Sequence, residues 1–385
     1  MPNPAAVITG IGNTAFSRRS GRSPRALAVE AARAAVTDAG RAEQDVDGII
    51  PVGGAIFADD LIEDLALSRA ALDALPAPGG NSGLGALLLA EVLIRSGRCH
   101  DVLIVFARNG NSAQRIARRV TALPGQHFRS YLERPQGWIT PAQWYAMIAR
   151  RHMIEFGTTK DALAEVALVM RRHAQLNPSA QMYGRELTPA EYHAAPVISD
   201  PYQRWDCCLE TDGAVVLLVS ESSTRRRQTR DVQLVAIESH RPASPEDLTN
   251  RADWFDVGLS SAAPAAYARA GLGPADVDTA MIYDCFTFEV LHQLEEAGFC
   301  RRGESDAFVR SGAIALGGVL PVNTHGGLLS EGHLGGVSHI LEAVRQLRGE
   351  ANARQIPRAR VAAVTGWGDW GDGSMALLAR SGGRS

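Results

Sequence analysis

Residues that could perform acid–base chemistry are concentrated in two segments of the C-terminal part of the chain. Tyr283 and Asp284 directly follow an apolar segment, and His325 and His333 lie in a glycine-rich stretch from 323 to 335. A histidine in such a turn can donate to a carbonyl oxygen that becomes an enolate, or it can transfer a proton. The structural alternatives are a strand cap with a packed tyrosine for the first pair, and core histidines for the second. The spacing of the histidines, with no third ligand evident, does not fit a metal site.

Two further glycine-rich turns could stabilise a negative charge. The turn from Gly79 to Gly83 precedes an apolar helix, whose N-terminal amides and dipole favour an anion. The turn from Thr365 to Gly371 offers more backbone N–H groups, so two such turns facing each other would form an oxyanion hole. Each glycine alone could simply permit a tight turn, but their combination favours a functional interpretation. The candidate residues on these turns are Gly80, Asn81, Ser82, Thr365, Gly366, Trp367 and Gly368.

The elements that carry these turns repeat along the chain. A helix pattern ends at Gly40 and again at Gly271, and Asp45–Asp47 and Asp276–Asp278 follow at the same distance before a buried strand. A glycine turn, an apolar helix and a second strand then complete each half. This order predicts an internally duplicated α/β protein with mainly parallel sheets covered by helices, although a chance repeat would give the same pattern. Functional groups collect at the carboxyl ends of parallel strands, which would bring the turns together.

The first half contains an additional stretch, from about 111 to 202, that is rich in tryptophan and tyrosine. Such an insertion typically covers an active site or forms a wall of the substrate pocket. It contains two helical patterns, Pro141–Phe156 and Lys160–Leu176. The arginine-rich segment 223–230 is predicted to be a solvated linker, so that the two halves span 1–223 and 231–385.

Composition excludes several classes of function. The 385-residue chain fits two units, and its net charge of -3 does not suggest nucleic acid or an anionic membrane as a partner. Lys160 is the single lysine, and its place in a predicted first helical turn argues against imine chemistry. The cysteines are odd in number and form no CxxC pair, so neither disulfides nor zinc is expected and a reducing cytoplasm is the simplest compartment. The first residues lack the pattern of a signal peptide, and no apolar run is long enough to cross a bilayer.

Five motifs together resemble the thiolase family, in its branch named after sterol carrier protein X and lipid-transfer proteins. The resemblance extends over nearly the whole chain. It implies two related halves in a five-layered α-β-α-β-α fold. The motifs are RHAQLNP (172–178), DPYQRWDCC (200–208), TDGA (211–214), YDCFT (283–287) and NTHGGLLSEGH (323–333).

The resemblance also assigns roles to individual positions. Thiolases use a nucleophilic cysteine at the start of a buried helix, and an oxyanion hole formed by the histidine of a Gly-His turn and by an Asn-Glu-Ala-Phe loop. His333 matches that histidine, and Tyr283 stands where the loop has its asparagine. The nucleophile position corresponds to Gly80, which cannot be acylated, and the second family cysteine corresponds to Thr365 or a neighbour. Ser82 could be acylated, but an alkoxide is harder to form than a thiolate and no adjacent base is evident.

Members of this branch without the cysteine include aldolases that cleave steroid side chains as CoA thioesters. The resemblance therefore implies retro-aldol cleavage of a bulky 3-hydroxyacyl-CoA, with coenzyme A as part of the substrate and no covalently bound cofactor. Tyr283, assisted by Asp284, would be the base or proton relay, while His333 and the amides of Gly366–Gly368 would hold the thioester oxygen. A homodimer and a small OB-fold, zinc-ribbon partner protein are implied as well. The alternatives are an acyltransferase or Claisen-type enzyme that uses Ser82 or an unexpected cysteine, and a non-catalytic subunit that binds acyl-CoA or lipid.

Overall fold

The computed structural model describes residues 5–67, 72–73, 79–113, 115, 129–222, 230–242, 251–368 and 371–381. Most of the predicted linker 223–230 and part of the predicted insertion lie outside these residues. No helix in the described part of the chain is long and apolar enough to span a membrane.

The first half begins with a strand–helix–strand unit, as the sequence predicts. Ser23 caps the first helix, because its side chain accepts a hydrogen bond from the Ala26 amide, and Gly40 follows the helix with a φ of 61°. Its elements are β1 (Ala6–Asn13), α1 (Pro24–Asp38), β2 (Gly48–Val52), α2 (Ala58–Asp64), β3 (Leu72–Asp73), α3 (Ser82–Arg95) and β4 (Asp101–Asn109). The insertion follows, with α4 (Pro141–Phe156), α5 (Lys160–Gln175), α6 (Pro189–His193), β5 (Val197–Ser199) and β6 (Tyr202–Gln203), and β7 (Asp212–Glu221) ends the half.

The second half repeats this plan without the insertion. Its first helix again ends in a glycine, Gly271, with a φ of 63°. The elements are β8 (Val232–His240), α7 (Gly258–Ala270), β9 (Thr279–Met281), α8 (Thr287–Glu296), α9 (Ser305–Arg310), α10 (Gly327–Ser330), α11 (Val337–Arg348), β10 (Val361–Trp367) and β11 (Gly373–Arg380).

The sheet order reveals the duplication. Nine of the described strands form one sheet, in the order β3-β2-β4-β7-β1-β8-β11-β10-β9, and β5 and β6 form a separate two-stranded sheet. From the centre outwards, β1, β7, β4 and β2 therefore correspond to β8, β11, β10 and β9. Within each half all strands but one run in the same direction, whereas β7 and β11 are antiparallel to their neighbours. The prediction of mainly parallel strands thus holds for strand direction in each half, but the sheet is mixed.

The antiparallel strands arise from hairpins. β10 and β11 pair through a short connection, and a short connection between neighbouring strands requires them to be antiparallel. β4 and β7 pair in the same way, but the insertion lies between them in sequence. The insertion is therefore a greatly enlarged hairpin loop, which places it at the edge of the sheet where the predicted functional turns lie.

Five layers result from the packing of helices on these strands. Helices α3 and α11 pack against strands of both halves and form the central layer. α1 covers the outer face of the first half, and α7 covers that of the second. β7 shows the expected alternation, because Val215, Leu217 and Val219 face the central core whereas Val216 and Leu218 face α1. The insertion helices α4 and α5 pack against α8 of the second half, so the halves are joined across the molecule.

Candidate active site

Tyr283 and His333 form the centre of the candidate site. Tyr283 lies just beyond β9, and His333 lies in the glycine-rich turn that precedes α11. Their side chains meet at 3.1 Å between the Tyr283 hydroxyl and His333 Nε2, and the rings contact each other edge to face. Both residues are buried, with 5% and 8% of their surface exposed. The predicted strand-end tyrosine and the predicted histidine are therefore in hydrogen-bonding contact.

Groups from the first half hold His333 in place. Its amide donates to the Thr211 hydroxyl at 3.0 Å, and its carbonyl accepts from the Arg108 guanidinium at 3.0 Å. Its Nδ1 lies 3.8 Å from Cys208 Sγ. Burial, with a further contribution from the charge of Asp284, raises the pKa of Cys208 to about 12, so the thiol stays neutral and interacts as a weak hydrogen-bonding group. None of these three partners was predicted from the sequence to belong to the site.

Tyr283 is fixed by its backbone and by its ring. Its carbonyl accepts from Gln293 Nε2 at 2.7 Å, and Gln293 Oε1 accepts from the Thr365 hydroxyl at 2.8 Å. Thr365, at the position that the resemblance gives to a second cysteine, thus anchors the side chain that holds Tyr283. The Tyr283 ring lies against Gly80 on one side and close to Gly336 on the other.

Gly80 has no room for a side chain. A Cβ built on this residue would overlap the carbonyl oxygen of Trp367 and lie only 2.5 Å from Cζ of Tyr283. The Tyr283 ring therefore occupies the space into which a side chain at position 80 would extend. The position predicted for the missing nucleophile is filled by the residue predicted to be the base.

The other residues predicted on the two glycine turns lie close to Gly80 but make different contacts. Asn81 donates to the Ser239 hydroxyl at 3.3 Å, and a Cβ on Gly366 would lie 2.7 Å from Asn81 Oδ1, so these two turns touch. The Asn81 Oδ1 atom is buried without a hydrogen-bond partner among the described residues. Ser82 is the first residue of α3 and is buried. Trp367 ends β10 and contributes its carbonyl to the wall around Gly80.

Gly368 requires a correction. Its amide was expected to be free for an oxyanion, but it donates to the carbonyl of Asp372 at 2.8 Å. The reason is the hairpin, because this hydrogen bond closes the connection between β10 and β11.

Asp284 also differs from its predicted role as an assistant to the base. Its carboxylate accepts from the amides of Leu328 and Leu329 at 2.8 and 3.2 Å, and it is 3.0 Å from His339 Nε2. These are the contacts of a carboxylate that caps α10. Asp284 therefore supports the segment that leads to His333.

His325 belongs to a buried polar cluster beneath the turn. Its Nε2 lies 3.6 Å from a carboxylate oxygen of Glu331, and its ring is edge-on to His339. Burial lowers the pKa of His325 well below its ordinary value, so the ring stays neutral. Asn177 links the cluster by donating to both the His325 carbonyl and the Glu331 side chain at 2.9 Å.

An arginine-lined cavity of about 720 Å³ opens next to the pair. Cys208, which contacts His333, is part of its lining. Arg115 is paired with Glu210, but the set as a whole gives the cavity an excess of positive charge, which favours anionic ligands. The four arginines that line it are Arg18, Arg19, Arg115 and Arg204. No local sequence pattern indicates this cavity, because these residues are far apart along the chain.

The insertion contributes aromatic residues that contact Trp367 and Phe286. Tyr145 of α4 is 5.9 Å from Trp367 and 5.4 Å from Phe286, measured between ring centroids. Tyr202 of β6 stacks on Phe286 at 5.1 Å. The wall beside Tyr283 is therefore apolar and built by both the insertion and the second half.

Comparison with known proteins agrees with this architecture. Residues 242–380 match the family model described as Thiolase C-terminal domain-like. The chain is 37% identical over 361 residues to the 17-hydroxy-3-oxo-4-pregnene-20-carboxyl-CoA lyase of Mycobacterium tuberculosis, covering 89% of this chain and 92% of that protein. It is 36% identical over 365 residues to the steroid side-chain-cleaving aldolase of Thermomonospora curvata, covering 90% of each. The solved structure of the Ltp2-ChsH2(DUF35) aldolase matches with a TM-score of 0.92 at 33% identity, covering 100% of both chains.

Proposed function

Because this chain belongs to the thiolase superfamily, in the branch of the side-chain-cleaving aldolases, we propose a retro-aldol reaction centred on Tyr283 and His333. The chain is a carbon–carbon lyase of thiolase fold that acts on an acyl-CoA thioester. One observation carries the site assignment: the Tyr283 ring fills the space beside Gly80, where the superfamily has its nucleophile, and its hydroxyl contacts His333 at 3.1 Å.

The reaction needs no covalent intermediate. Tyr283 takes the proton of the substrate's 3-hydroxyl group while its own proton passes to Nε2 of His333. The bond between C2 and C3 breaks, C3 becomes a ketone, and the electron pair moves into the thioester as an enolate. The newly charged His333 stabilises the enolate oxygen, and the proton finally returns to C2. The products are a ketone and a shortened acyl-CoA, and the atoms balance without any co-reactant.

The arginine-lined cavity supports the binding of the coenzyme A part. Its arginines offer charge-assisted hydrogen bonds to phosphates, and its lining includes Cys208, which contacts His333. A thioester whose phosphates lie in this cavity would extend its acyl group past His333 towards the aromatic wall. We expect Arg204→Ala to raise KM for the CoA thioester with little change in kcat.

The experiment that tests the proposal is a single-turnover assay with a steroid 3-hydroxyacyl-CoA, with products identified by mass spectrometry. We expect a ketone and a shortened acyl-CoA in equal amounts, and no mass increase on the protein. A stable acyl adduct on the chain would contradict the retro-aldol reaction. Binding of the thioester without any cleavage, also in the presence of a partner protein, would favour the non-catalytic alternative.

A second candidate is the acyltransferase or Claisen-type activity, favoured by one contact. Cys208 lies 3.8 Å from His333 and could replace the missing nucleophile. Its raised pKa argues against this, because the thiolate is the reactive form. An acyl adduct that disappears in Cys208→Ala would establish this alternative.

The same family supports two assembly proposals. One structural relative is named the Ltp2-ChsH2(DUF35) aldolase, so we propose that this chain binds a small OB-fold, zinc-ribbon protein. We also propose that it forms a homodimer, as implied by the thiolase fold. Light scattering of the chain alone and after co-expression with such a partner tests both: a monomer alone would contradict the dimer, and separate elution would contradict the complex.

A further inference from the structure

Gln181 connects the arginine-lined cavity to the segment that carries His333. It belongs to the loop that follows α5 in the insertion, and it lines the cavity. Its backbone amide donates to the Glu331 carbonyl at 2.9 Å, and the amide of Met182 donates to the Ser330 carbonyl at 3.1 Å. The insertion loop is therefore hydrogen-bonded to the backbone that directly precedes the turn of His333.

The side chain of Gln181 continues this connection through Thr211. The Thr211 hydroxyl donates to Gln181 Oε1 at 3.2 Å and accepts from the His333 amide at 3.0 Å. Thr211 is buried, and a Cβ built on Gly332 would lie only 3.1 Å from Thr211 Cγ2, so this side chain is closely packed. Two consecutive hydrogen bonds thus join the wall of the cavity to the backbone of His333.

The cavity end of this connection can accept a ligand. The side-chain nitrogen of Gln181 donates to no partner among the described residues, and the residue is only partly buried. Arg18 and Arg19 line the same cavity and form no ion pair within the described part of the chain. Two arginines and an amide donor on one wall are suited to the oxygen atoms of a phosphate.

Arg204 lines the same cavity without such a connection. Its guanidinium lies over the ring of Trp205, 5.1 Å from the centroid, and its backbone amide donates to the Pro196 carbonyl. It makes no hydrogen bond to the His333 segment in the described structure. Arg204 and Gln181 therefore allow binding in the cavity to be separated from an effect on His333.

We propose that Gln181 and Thr211 are positioning residues that couple phosphate binding in the cavity to the orientation of His333. A phosphate oxygen accepts from Gln181 Nε2, and this strengthens both hydrogen bonds of the Thr211 hydroxyl, because hydrogen bonds in a chain polarise one another. The backbone of His333 is then held where its ring faces the Tyr283 hydroxyl. Binding of the remote end of coenzyme A is thus used for orientation as well as for affinity. This inference rests on the proposed function and gives the insertion a part in it.

Steady-state kinetics with a steroid 3-hydroxyacyl-CoA test the coupling. Gln181→Ala should lower kcat about three- to tenfold, in keeping with the loss of one hydrogen bond, whereas Arg204→Ala should act mainly on KM. Thr211→Val should lower kcat at least as much, and Thr211→Ser, which keeps the hydroxyl, should retain most of the activity. A rise of KM alone in Gln181→Ala would show a residue that only binds the coenzyme, and the inference would be wrong.

Thr14→Val is the matched control for Thr211→Val. Thr14 is also buried, and its hydroxyl also accepts from a backbone amide at 3.0 Å, but that amide belongs to Ala214. Both variants lose a buried hydroxyl, so both should have a lower Tm, but only Thr211→Val should lower kcat. An equal loss of kcat in the two variants would indicate a general effect of stability and would contradict a positioning role for Thr211.

A measurement without turnover separates this inference from the proposed reaction. The protein is prepared with isotopically labelled histidine, and the NMR signal of His333 is identified by its loss in His333→Ala. The probe is adenosine 3′,5′-bisphosphate, which carries phosphates but no pantetheine arm that could touch His333. Saturation with this probe should shift the His333 signal in the wild type and in Thr14→Val. The shift should disappear in Gln181→Ala, with binding of the probe followed by calorimetry.

The outcomes distinguish the two proposals. If the wild type cleaves no thioester but shows the shift, and Gln181→Ala binds the probe without it, the reaction is wrong and the inference stands. If the saturated wild type shows no shift, or Gln181→Ala shows the same shift, the inference is overturned even where the thioester is cleaved.

Discussion

Two helix starts at the centre of the molecule descend from the same duplicated element but have different tasks. α3 begins shortly after Gly79 and α11 begins directly after Gly335 and Gly336, and these three glycines have positive φ. The second turn carries His333 just before its glycines, whereas Gly79 and Gly80 of the first turn have no side chain. The absence of a side chain at Gly80 leaves space for the Tyr283 ring. The duplication thus gave two glycine turns that could stabilise negative charge. The turn before α3 now packs against the ring of Tyr283, the proposed base.

The largest expected effect concerns Tyr283 and its contact with His333 in the second turn. Tyr283→Phe should lower kcat about 100-fold or more, because it removes the hydroxyl that exchanges protons with His333. Tm should change little, because the ring still fills the space beside Gly80. Tyr267→Phe is the matched control, since its buried hydroxyl donates to the Ala297 carbonyl away from the site. Unchanged turnover in Tyr283→Phe, measured by stopped-flow product analysis, would remove Tyr283 from the mechanism.

The next effect concerns Gly80 in the turn before α3. Gly80→Ala should destabilise the protein by about 1–3 kcal/mol and reduce activity, because the added methyl group displaces the Tyr283 ring or the Trp367 carbonyl. Gly273→Ala is the control, because its nearest neighbour would lie 3.9 Å from the new Cβ. Gly80→Cys should likewise fail to restore thiolase chemistry. Denaturant unfolding measures the stability, and an active, fully stable Gly80→Cys that becomes acylated would show that the two turns are still interchangeable.

Most of the fold was predictable from repeated local signals. Ser23, Gly40 and Gly271 mark helix ends through hydrogen bonding and positive φ, and these signals are local. The strands β8 and β11 were not predicted, and the antiparallel direction of β7 was hidden by the insertion between the two strands of its hairpin. Strand direction depends on which strands become neighbours, and that is a property of the tertiary structure.

The site was predictable only in part, for the same reason. Tyr283 and His333 follow from strand-end position, glycine context and resemblance, and the structure joins them. Cys208 and Thr211 contact His333 from the other half of the chain, so no local pattern could associate them with it. Asp284 was predicted to assist Tyr283 because the two are neighbours in sequence, but its contacts are with amides more than 40 residues away.

A smaller effect concerns Cys208, a residue of the first half that contacts His333. Cys208→Ala removes the group next to Nδ1 of His333, and we expect kcat to fall about three- to tenfold, in keeping with one weak hydrogen bond. Cys207→Ala is the adjacent control, because its thiol faces the Gln203 carbonyl instead. The pH profile of kcat should shift in Cys208→Ala only. Complete loss of activity in Cys208→Ala would instead support a nucleophilic cysteine.

The smallest effect distinguishes what lies beneath the two turns. The first turns of α3 carry apolar residues such as Leu84 and Leu87, which pack in the central core, whereas the turn before α11 lies on the cluster of His325 and Glu331. Burial raises the pKa of Glu331 from 4.5 to about 8. The unfolded carboxyl ionises near its ordinary pKa, while the folded one stays protonated. The contribution of Glu331 to the free energy of unfolding is therefore complete at low pH and is lost as the pH rises towards about 8.

Glu331→Gln removes that titration while preserving the oxygen that accepts from Asn177. Its Tm should therefore fall less than that of the wild type between about pH 5 and pH 8. The neutral His325 acts in the opposite direction, since a buried histidine with a lowered pKa loses stability as the pH falls below its unfolded value. The variant should consequently become relatively more stable at alkaline pH and show no such gain in acid. The measurement is Tm as a function of pH, by differential scanning fluorimetry. Parallel curves for the wild type and Glu331→Gln would mean that Glu331 is already ionised in the folded state, and that the surroundings of the two turns do not differ in this titration.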